Sequence, residues 1–277
     1  MAGKYIVRCD IEGVSGVVSY EQAEPGKPEF AFGHRRFMAD LTALIDGLTE
    51  GGAELVVVYD EHYYGRNVLL DQMPDNVQVI SGKPPYRPDW PGGLDRSFKG
   101  LVLLGYHSKR GTPHGLLNHT FEPDIRDIRL NGVSIGEIGI EIAVAGDFSV
   151  PLVLMTGDSA AVAEARELAP EAVCVTVKES LGETGGLCYP VVKTSRMIRK
   201  AAHSVAGEER EITPYCAGDN VCLEILLNPG PFRDQFNRLF ARAMADESTV
   251  RIQNSNTTTA YSRYWQMKND CFDSMSG

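Results

Sequence analysis

Tyr5-Ile-Val-Arg-Cys-Asp10-Ile-Glu12-Gly13-Val-Ser15-Gly16 is the stretch from which the fold can be read. Its apolar run, Tyr5 to Val7, predicts a buried strand, and a glycine-bearing turn stops it. Two carboxylates separated by one residue stand at the strand's end. Positions two apart in an extended chain point to the same side, so Asp10 and Glu12 converge. Bare carboxylates held together raise one another's pKa, and a cation between them removes the conflict. Taken alone, Asp10 also reads as a loop carboxylate and Glu12 as a helix-start residue, because Asp-x-Glu is a short pattern.

Working outward, residues 15–32 are polar, carry Pro25, Gly26 and Pro28, and read as a surface loop. A helix is predicted over 33–49, with Phe37, Leu41, Leu44, Ile45 and Leu48 on its apolar face and Gly51-Gly52 at its end. The nearly continuous apolar run 53–59 then reads as a strand buried in a parallel sheet. Strand, helix and strand joined this way form a βαβ unit, and its right-handed crossover brings both strand ends to one sheet edge. His62, just past the second strand, therefore arrives near Asp10 and Glu12. That edge is where ligands bind in open α/β sheets. Residues 99–105 form another buried strand, ending at Tyr106-His107. Three strands thus finish on side chains able to hold a metal.

Further along, residues 77–80 predict a short strand, and 108–122 a loop carrying His114 and His119. Asn131-Gly132 within 126–135 marks a hairpin. Glu137 opens a helix, where its charge also suits the positive dipole end. A strand over 151–157 leads to a helix capped by Asp158, and 172–177 closes the pattern. Beyond Lys178 come a helix over 194–205, a strand over 221–227 and a helix carrying Phe232, Phe236, Leu239 and Phe240, whose stripe reads as core. A strand over 249–253 and a helix over 257–267 follow. The expected fold is α/β, a mainly parallel sheet flanked by helices, with a smaller α+β C-terminal portion; the expected domains are 1–185, carrying the metal-binding residues, and 186–277.

At 277 residues the chain can bury a sizeable core, and 43% hydrophobic with 23% charged residues is ordinary for a globular protein. A net charge of −10 argues against non-specific nucleic-acid binding, which needs a basic face. The absence of any long apolar run argues against a membrane span, and no signal-peptide pattern precedes the first strand, so a cytoplasmic protein is expected. The six cysteines form no Cys-x-x-Cys pair and are expected as free thiols.

Asp10, Glu12, His62, His107 and Glu137 offer five ligands, a mixed carboxylate and imidazole set that suits zinc, with manganese or cobalt possible. Five exceed the three protein ligands typical of one catalytic zinc. Two metals sharing Asp10 accommodate them, and such a pair activates water and polarises a carbonyl together. His34 is expected to face solvent at a helix start and His203 on a helix face. Glu61 and Glu141 read as solvated or supporting groups. Lys178 and Arg110 lie near the predicted edge of the site, where they could bind a carboxylate.

The combination Asp10-x-Glu12-Gly13-x-Ser15-Gly16, Asp60-x-His62, Leu104-Gly105-Tyr106-His107, Asn118-His119 and Gly136-Glu137-x-Gly139 resembles the D-aminopeptidase family of the DppA type over residues 4–178. The resemblance implies a cytoplasmic aminopeptidase with two zinc ions per subunit that removes N-terminal D-amino acids from short peptides. It implies Asp10, Glu12, His62, His107 and Glu137 as the zinc ligands and His119 as the catalytic histidine. It further implies ring-shaped homo-oligomers stacked as decamers. The loop from His107 to His119 is one residue longer than the family pattern, which brings His114 forward as an alternative, although Asn118-His119 fits the motif better. Competing classes are a binuclear phosphoesterase or other metal-dependent amidase, and a non-catalytic metal-dependent peptide-binding protein. The chain lacks the Asp-x-His and Gly-Asn-His segments of the phosphoesterases, the His-x-His of amidohydrolase barrels and the phosphate loop of nucleotide enzymes.

Overall fold

The computed structural model describes residues 3–276. The first part of the chain forms β1 (Gly3–Cys9), α1 (Tyr20–Ala23), α2 (Phe30–Glu50), β2 (Ala53–Asp60), β3 (Val77–Ile80), β4 (Phe98–Tyr106), β5 (Ile125–Leu130), β6 (Val133–Ile135) and α3 (Glu137–Asp147). There follow β7 (Leu152–Asp158), α4 (Ser159–Leu168), β8 (Val173–Ser180), β9 (Gly186–Cys188), α5 (Val191–Gly207), β10 (Val221–Leu227), α6 (Pro231–Phe240), β11 (Thr249–Asn254) and α7 (Thr257–Ser276).

The large sheet runs β3-β2-β1-β4-β7-β8-β9, parallel throughout except at β9. From β1 the chain steps outward to β2 and β3, then returns to the other side of β1 and steps outward again. The reversal falls between β1 and β4, the position at which open sheets of this kind leave a crevice. The expected α/β class with a mainly parallel sheet is the observed one.

Alternation along β1 assigns its side chains to two cores. Tyr5, Val7 and Cys9 pack with Phe37, Leu41 and Leu44 of α2. Ile6 joins Leu101, Leu103 and the α3 residues Ile138 and Ile142 on the opposite face. α5 packs along α2, while α3 contacts α4 and α7 across the sheet. Helices therefore cover both faces, as a parallel sheet requires.

The smaller sheet, β11-β10-β5-β6, is antiparallel. Its hairpin turns at Asn131 and Gly132, both with positive φ (51° and 83°), as a tight two-residue connection demands. A lone hairpin is marginal in water, and β10 completes it by pairing with β5. The smaller sheet thus draws on chain from both sides of residue 185, and α5, from beyond it, lies on α2. The expected boundary at 185/186 does not coincide with a break between the sheets.

Two helices differ from expectation. α2 begins at Phe30, and α1 occupies part of the expected 15–32 loop. α7 continues through Ser276 rather than stopping near Met267, because the buried stripe Tyr264, Met267, Cys271 keeps helical spacing past that point.

Candidate metal centre

Asp10 follows β1, His62 follows β2 and His107 follows β4, three adjacent strands. The exits of β1 and β4 are pinned together: Asp10 N donates to Leu104 O at 2.9 Å and Gly13 N to Gly105 O at 2.7 Å. Gly105 has φ +73°, and a Cβ there would lie 2.3 Å from Asp10 O, so both its conformation and its space call for glycine. α3 brings Glu137 from the opposite side at its first residue.

The five residues expected to hold metal converge, with His119 beside them. Asp10, Glu12 and His62 form one group of potential ligand atoms, and His107, His119 and Glu137 a second, each within 4.8 Å internally. Asp10 faces both groups: Oδ1 is 2.7 Å from His62 Nδ1, and Oδ2 is 3.4 Å from His107 Nε2. Glu12 Oε2 lies 3.1 Å from His62 Nδ1, and Glu137 Oε1 lies 3.5 Å from His107 Nε2 and 4.0 Å from His119 Nε2. The rings of His107 and His119 stack 3.9 Å apart at 11°.

Each imidazole has one nitrogen on a backbone carbonyl: His62 Nε2 on Ala23 O (2.7 Å), His107 Nδ1 on Ser108 O (2.9 Å) and His119 Nδ1 on Leu117 O (2.9 Å). A carbonyl only accepts, so that nitrogen carries a proton; the other nitrogen faces the carboxylates, donating to them when protonated and presenting its lone pair to a cation once that proton is lost. Metal-binding histidines are oriented in this way. Two atoms make the case more strongly. Glu12 Oε2 and His107 Nε2 are buried and make no hydrogen bond of acceptable geometry, although both have charged neighbours. Stranded buried polar atoms call for an explanation, and a cation held between them supplies one. The donor set, nitrogen and carboxylate oxygen, fits zinc.

The electrostatics agree. Burial alone pushes the Asp10 carboxyl up, but His62 and His107 hold it well below the usual carboxylate range. Burial lowers His107, and the charges of Glu137, Asp10 and Glu12 outweigh this and push it up to about 10. His62 is likewise raised, by Glu12 and Asp10 against burial. Protons on the imidazoles balance the carboxylates here, and metal binding displaces them.

The centre opens into a cavity of about 710 Å³. Tyr261 and Trp265 of α7 wall it, so the C-terminal portion shapes the pocket. Below the centre lies a buried charged cluster whose members no sequence motif marks. Arg8, fully buried in β1, bonds Glu141 of α3, sits 3.4 Å from Glu61 Oε1 and donates to Pro91 O at 2.7 Å. Glu141 is therefore a buried ion-pair partner and not a solvated group. Burial pushes its carboxyl up to about 8 against the pull of Arg8, with Glu61 and Glu137 adding to the rise. Arg8 stands two residues before Asp10 on the same strand face, a signal available in the opening stretch.

Other expectations resolve differently. Lys178 is fully buried and donates to the carbonyls of Glu12, Val14 and Val17, so it is not available to a substrate carboxylate. Arg110 does line the cavity. His114 is exposed and belongs to neither group of ligand atoms. His34 is half-buried between Phe30 and Phe37 with Nε2 2.6 Å from Asn67 O, whereas solvent exposure was expected; His203 is exposed. The cysteines described are free. Among the described residues no helix is long and apolar enough to cross a membrane.

Paired histidine and carboxylate groups at the reversal point of a doubly wound sheet are the build of a metal-dependent hydrolase. The chain belongs to the Peptidase_M55 family of D-aminopeptidases, whose model matches residues 4–265, and it is a metallo-aminopeptidase. It is 27% identical over 224 residues to a D-aminopeptidase of Bacillus subtilis (strain 168), covering 80% of each chain. Its structure is similar to that of the Zn-dependent D-aminopeptidase DppA from Bacillus subtilis, described as a self-compartmentalizing protease. The TM-score is 0.88 at 25% identity, covering 97% of this chain and 98% of that one.

Proposed function

We propose that the protein holds two zinc ions per subunit and removes the N-terminal residue, a D-amino acid, from short peptides. The observation that carries this reading is Asp10, whose two oxygens face the two groups of ligand atoms. Asp10 would be shared between the two ions, with Glu12 and His62 holding one and His107 and Glu137 the other. When bound, zinc lowers the pKa of a water and polarises the scissile carbonyl.

The chain's own residues do the rest. Glu137 Oε1 accepts from Phe121 N at 2.7 Å, which holds it against His107 and ties the 108–122 loop to α3. His119 is part-exposed on that loop and faces the cavity, with Nδ1 fixed on Leu117 O and Nε2 free. It gives a proton to the leaving amine or stabilises the oxyanion. Tyr20 stacks edge-on against His119 at 6.0 Å and limits its swing. Self-compartmentalization in the structural relative supports a homo-oligomer here, with the decamer as the proposed form, and a cytoplasmic location is proposed with it.

The test is elemental analysis of purified protein, followed by hydrolysis of D-alanyl and L-alanyl p-nitroanilides before and after chelation. About two zinc ions per chain and D-selective release lost on chelation support the reading. Zinc with L-selective release discards the D-assignment. Bound zinc without release of either discards the peptidase and leaves a metal-dependent binding protein.

A further inference from the structure

Among the described residues, the permanent cations that line the cavity are Lys83 and Arg110. Lys83 donates to Glu61 O, on the floor that Arg8, Glu61 and Glu141 share. Arg110 stands apart from that cluster, on the loop that carries His119. Its backbone N–H donates to Thr120 Oγ1 at 3.1 Å, which ties Arg110 to the residue after His119. Its Nη1 donates to Pro123 O at 3.2 Å. That carbonyl also accepts from Asn228 Nδ2 at 2.8 Å, just past β10, so the C-terminal portion fixes the anchor of the guanidinium.

A guanidinium is always charged and presents five N–H donors. Among the described residues the bond to Pro123 is the one hydrogen bond the Arg110 side chain makes, and no carboxylate pairs with it. The carboxylates that share the cavity are committed elsewhere: Glu122 to Lys268, Glu61 and Glu141 to Arg8, and Asp10, Glu12 and Glu137 to the proposed metal centre. Tyr20 connects the two regions. Its ring packs 6.0 Å from that of His119, and its hydroxyl, pushed up by burial and then by Glu12 and the exposed Glu183, is drawn down by Arg110. Arg110 therefore acts across the same space as Glu12, on the side where His119 meets the leaving amine.

We infer that Arg110 binds the C-terminal carboxylate of the substrate, so that the site selects short peptides with a free C-terminus. The inference rests on the proposed function for the place of the leaving fragment, since it takes His119 as the group beside the leaving amine. A carboxylate offers two coplanar oxygens that match the guanidinium fork. In a dipeptide the carboxyl carbon is two bonds from the leaving nitrogen, about 2.5 Å, and each further residue moves it on by roughly 3.3–3.6 Å. It stays within a side chain's reach of His119 only in short peptides. An amidated terminus, or the distant terminus of a long peptide, places no charge there.

The test compares D-alanylglycine and D-alanyldiglycine with their C-terminal amides, and the L-alanyl forms alongside, for the wild-type protein, Arg110→Gln and Lys83→Met. Arg110 is half-buried and its side chain makes one hydrogen bond, so the variant folds. Wild-type kcat/KM favours the free acid by at least about tenfold at one of the two lengths, the size of one charge-assisted contact, and Arg110→Gln brings that ratio towards one. A wild-type ratio near one at both lengths overturns the inference, as does a ratio that survives Arg110→Gln. A ratio that falls as far in Lys83→Met overturns it too, because the floor cation then reads the carboxylate. Equal losses on acid and amide do the same, since Arg110 then only positions the His119 loop. Calorimetry with the non-cleavable analogue in which a methyleneamino group replaces the peptide bond, as acid and as amide, gives a readout independent of turnover. Arg110-dependent preference for the acid without hydrolysis of either enantiomer keeps the carboxylate site and removes the peptidase reading. Hydrolysis with no such preference does the reverse.

Discussion

Gly13 sits against the carbonyl of Tyr106 so closely that a Cβ on it would lie 1.9 Å from that oxygen. The same glycine donates its N–H to Gly105 O, so the exits of β1 and β4 share one contact at the switch point. Asp10 leaves one strand and His107 the other, and their spacing depends on this contact. Gly13→Ala must force the exits apart. Overpacking of this kind lowers stability by about 1–3 kcal/mol or more. Urea denaturation and zinc content, measured on one preparation, should both fall, and retained zinc at full affinity would show that the exits can spread without moving the ligands.

Asp10 differs from the other expected ligands in facing both groups of atoms. Asp10→Ala should therefore loosen both of the two proposed zinc ions and leave fewer than about one per chain. His62→Ala and Glu137→Gln each touch one group and should leave roughly one ion, with the other site weakened. Elemental analysis after dialysis decides this. Equal loss in all three variants would remove Asp10 from its bridging role.

His119 shares a cluster with His107 and Glu137, yet its Nε2 is 4.0 Å from Glu137 and the residue is part-exposed. A proton-transferring group contributes about 10²–10⁴-fold to rate. His119→Ala should lower kcat by that order while zinc content stays at the wild-type level. A matching loss of zinc would make His119 a ligand, and His114, exposed and outside the cluster, offers no replacement.

Much of this site was legible because strand ends announce themselves. An apolar run that stops on Asp10, His62 or His107 marks both the strand and the side chain it delivers, and parallel pairing brings such ends together. The element spacing from β1 to β8 followed for the same reason. What the sequence did not disclose was the partner of each buried charge. Lys178 reads as an edge lysine, and only the folded loop 12–17 shows three carbonyls converging on it. Arg8 looks like an interruption of an apolar strand until α3 brings Glu141 across the sheet. Likewise β5 and β6 are plain as a hairpin, but their pairing with β10 spans some 90 residues and carries no local signal.

Asp40 supplies a pH dependence. It is fully buried in α2 and accepts from Ser15 N (2.8 Å) and Ser15 Oγ (2.9 Å). Burial pushes its carboxyl up to about 6, with the Ser15 bonds and the Lys178 charge pulling down. The folded chain thus holds this proton more tightly than the unfolded chain. The stability linked to it is full below about pH 4 and is lost as pH rises through about 6, on the order of 3 kcal/mol in total. Asp40→Asn keeps an acceptor for Ser15 N and lets its amide donate to Ser15 Oγ, which passes its own proton to Thr194 Oγ1 at 2.8 Å. Urea midpoints at pH 4, 5, 6 and 7 should decline less in the variant. Parallel declines would locate the titration elsewhere.

Lys178 is the counterpart on the other side of Ser15's loop. Its Nζ donates to Glu12 O (2.6 Å), Val14 O (2.8 Å) and Val17 O (2.6 Å), which uses all three ammonium hydrogens. Burial lowers its pKa to about 8, with Asp158 and Asp40 among the charges opposing the fall, so it remains a cation at neutral pH. The loop it gathers carries Glu12, a residue of the proposed zinc site. Lys178→Met preserves the stem and strands three carbonyls, each costing about 1–3 kcal/mol if left unsatisfied. Thermal stability should drop, and zinc affinity should drop with it because Glu12 loses the anchor of its own carbonyl. Competition with a chelator measures the second effect separately. If affinity holds while stability falls, the loop keeps its shape without the lysine, and Lys178 supports the fold but not the metal centre.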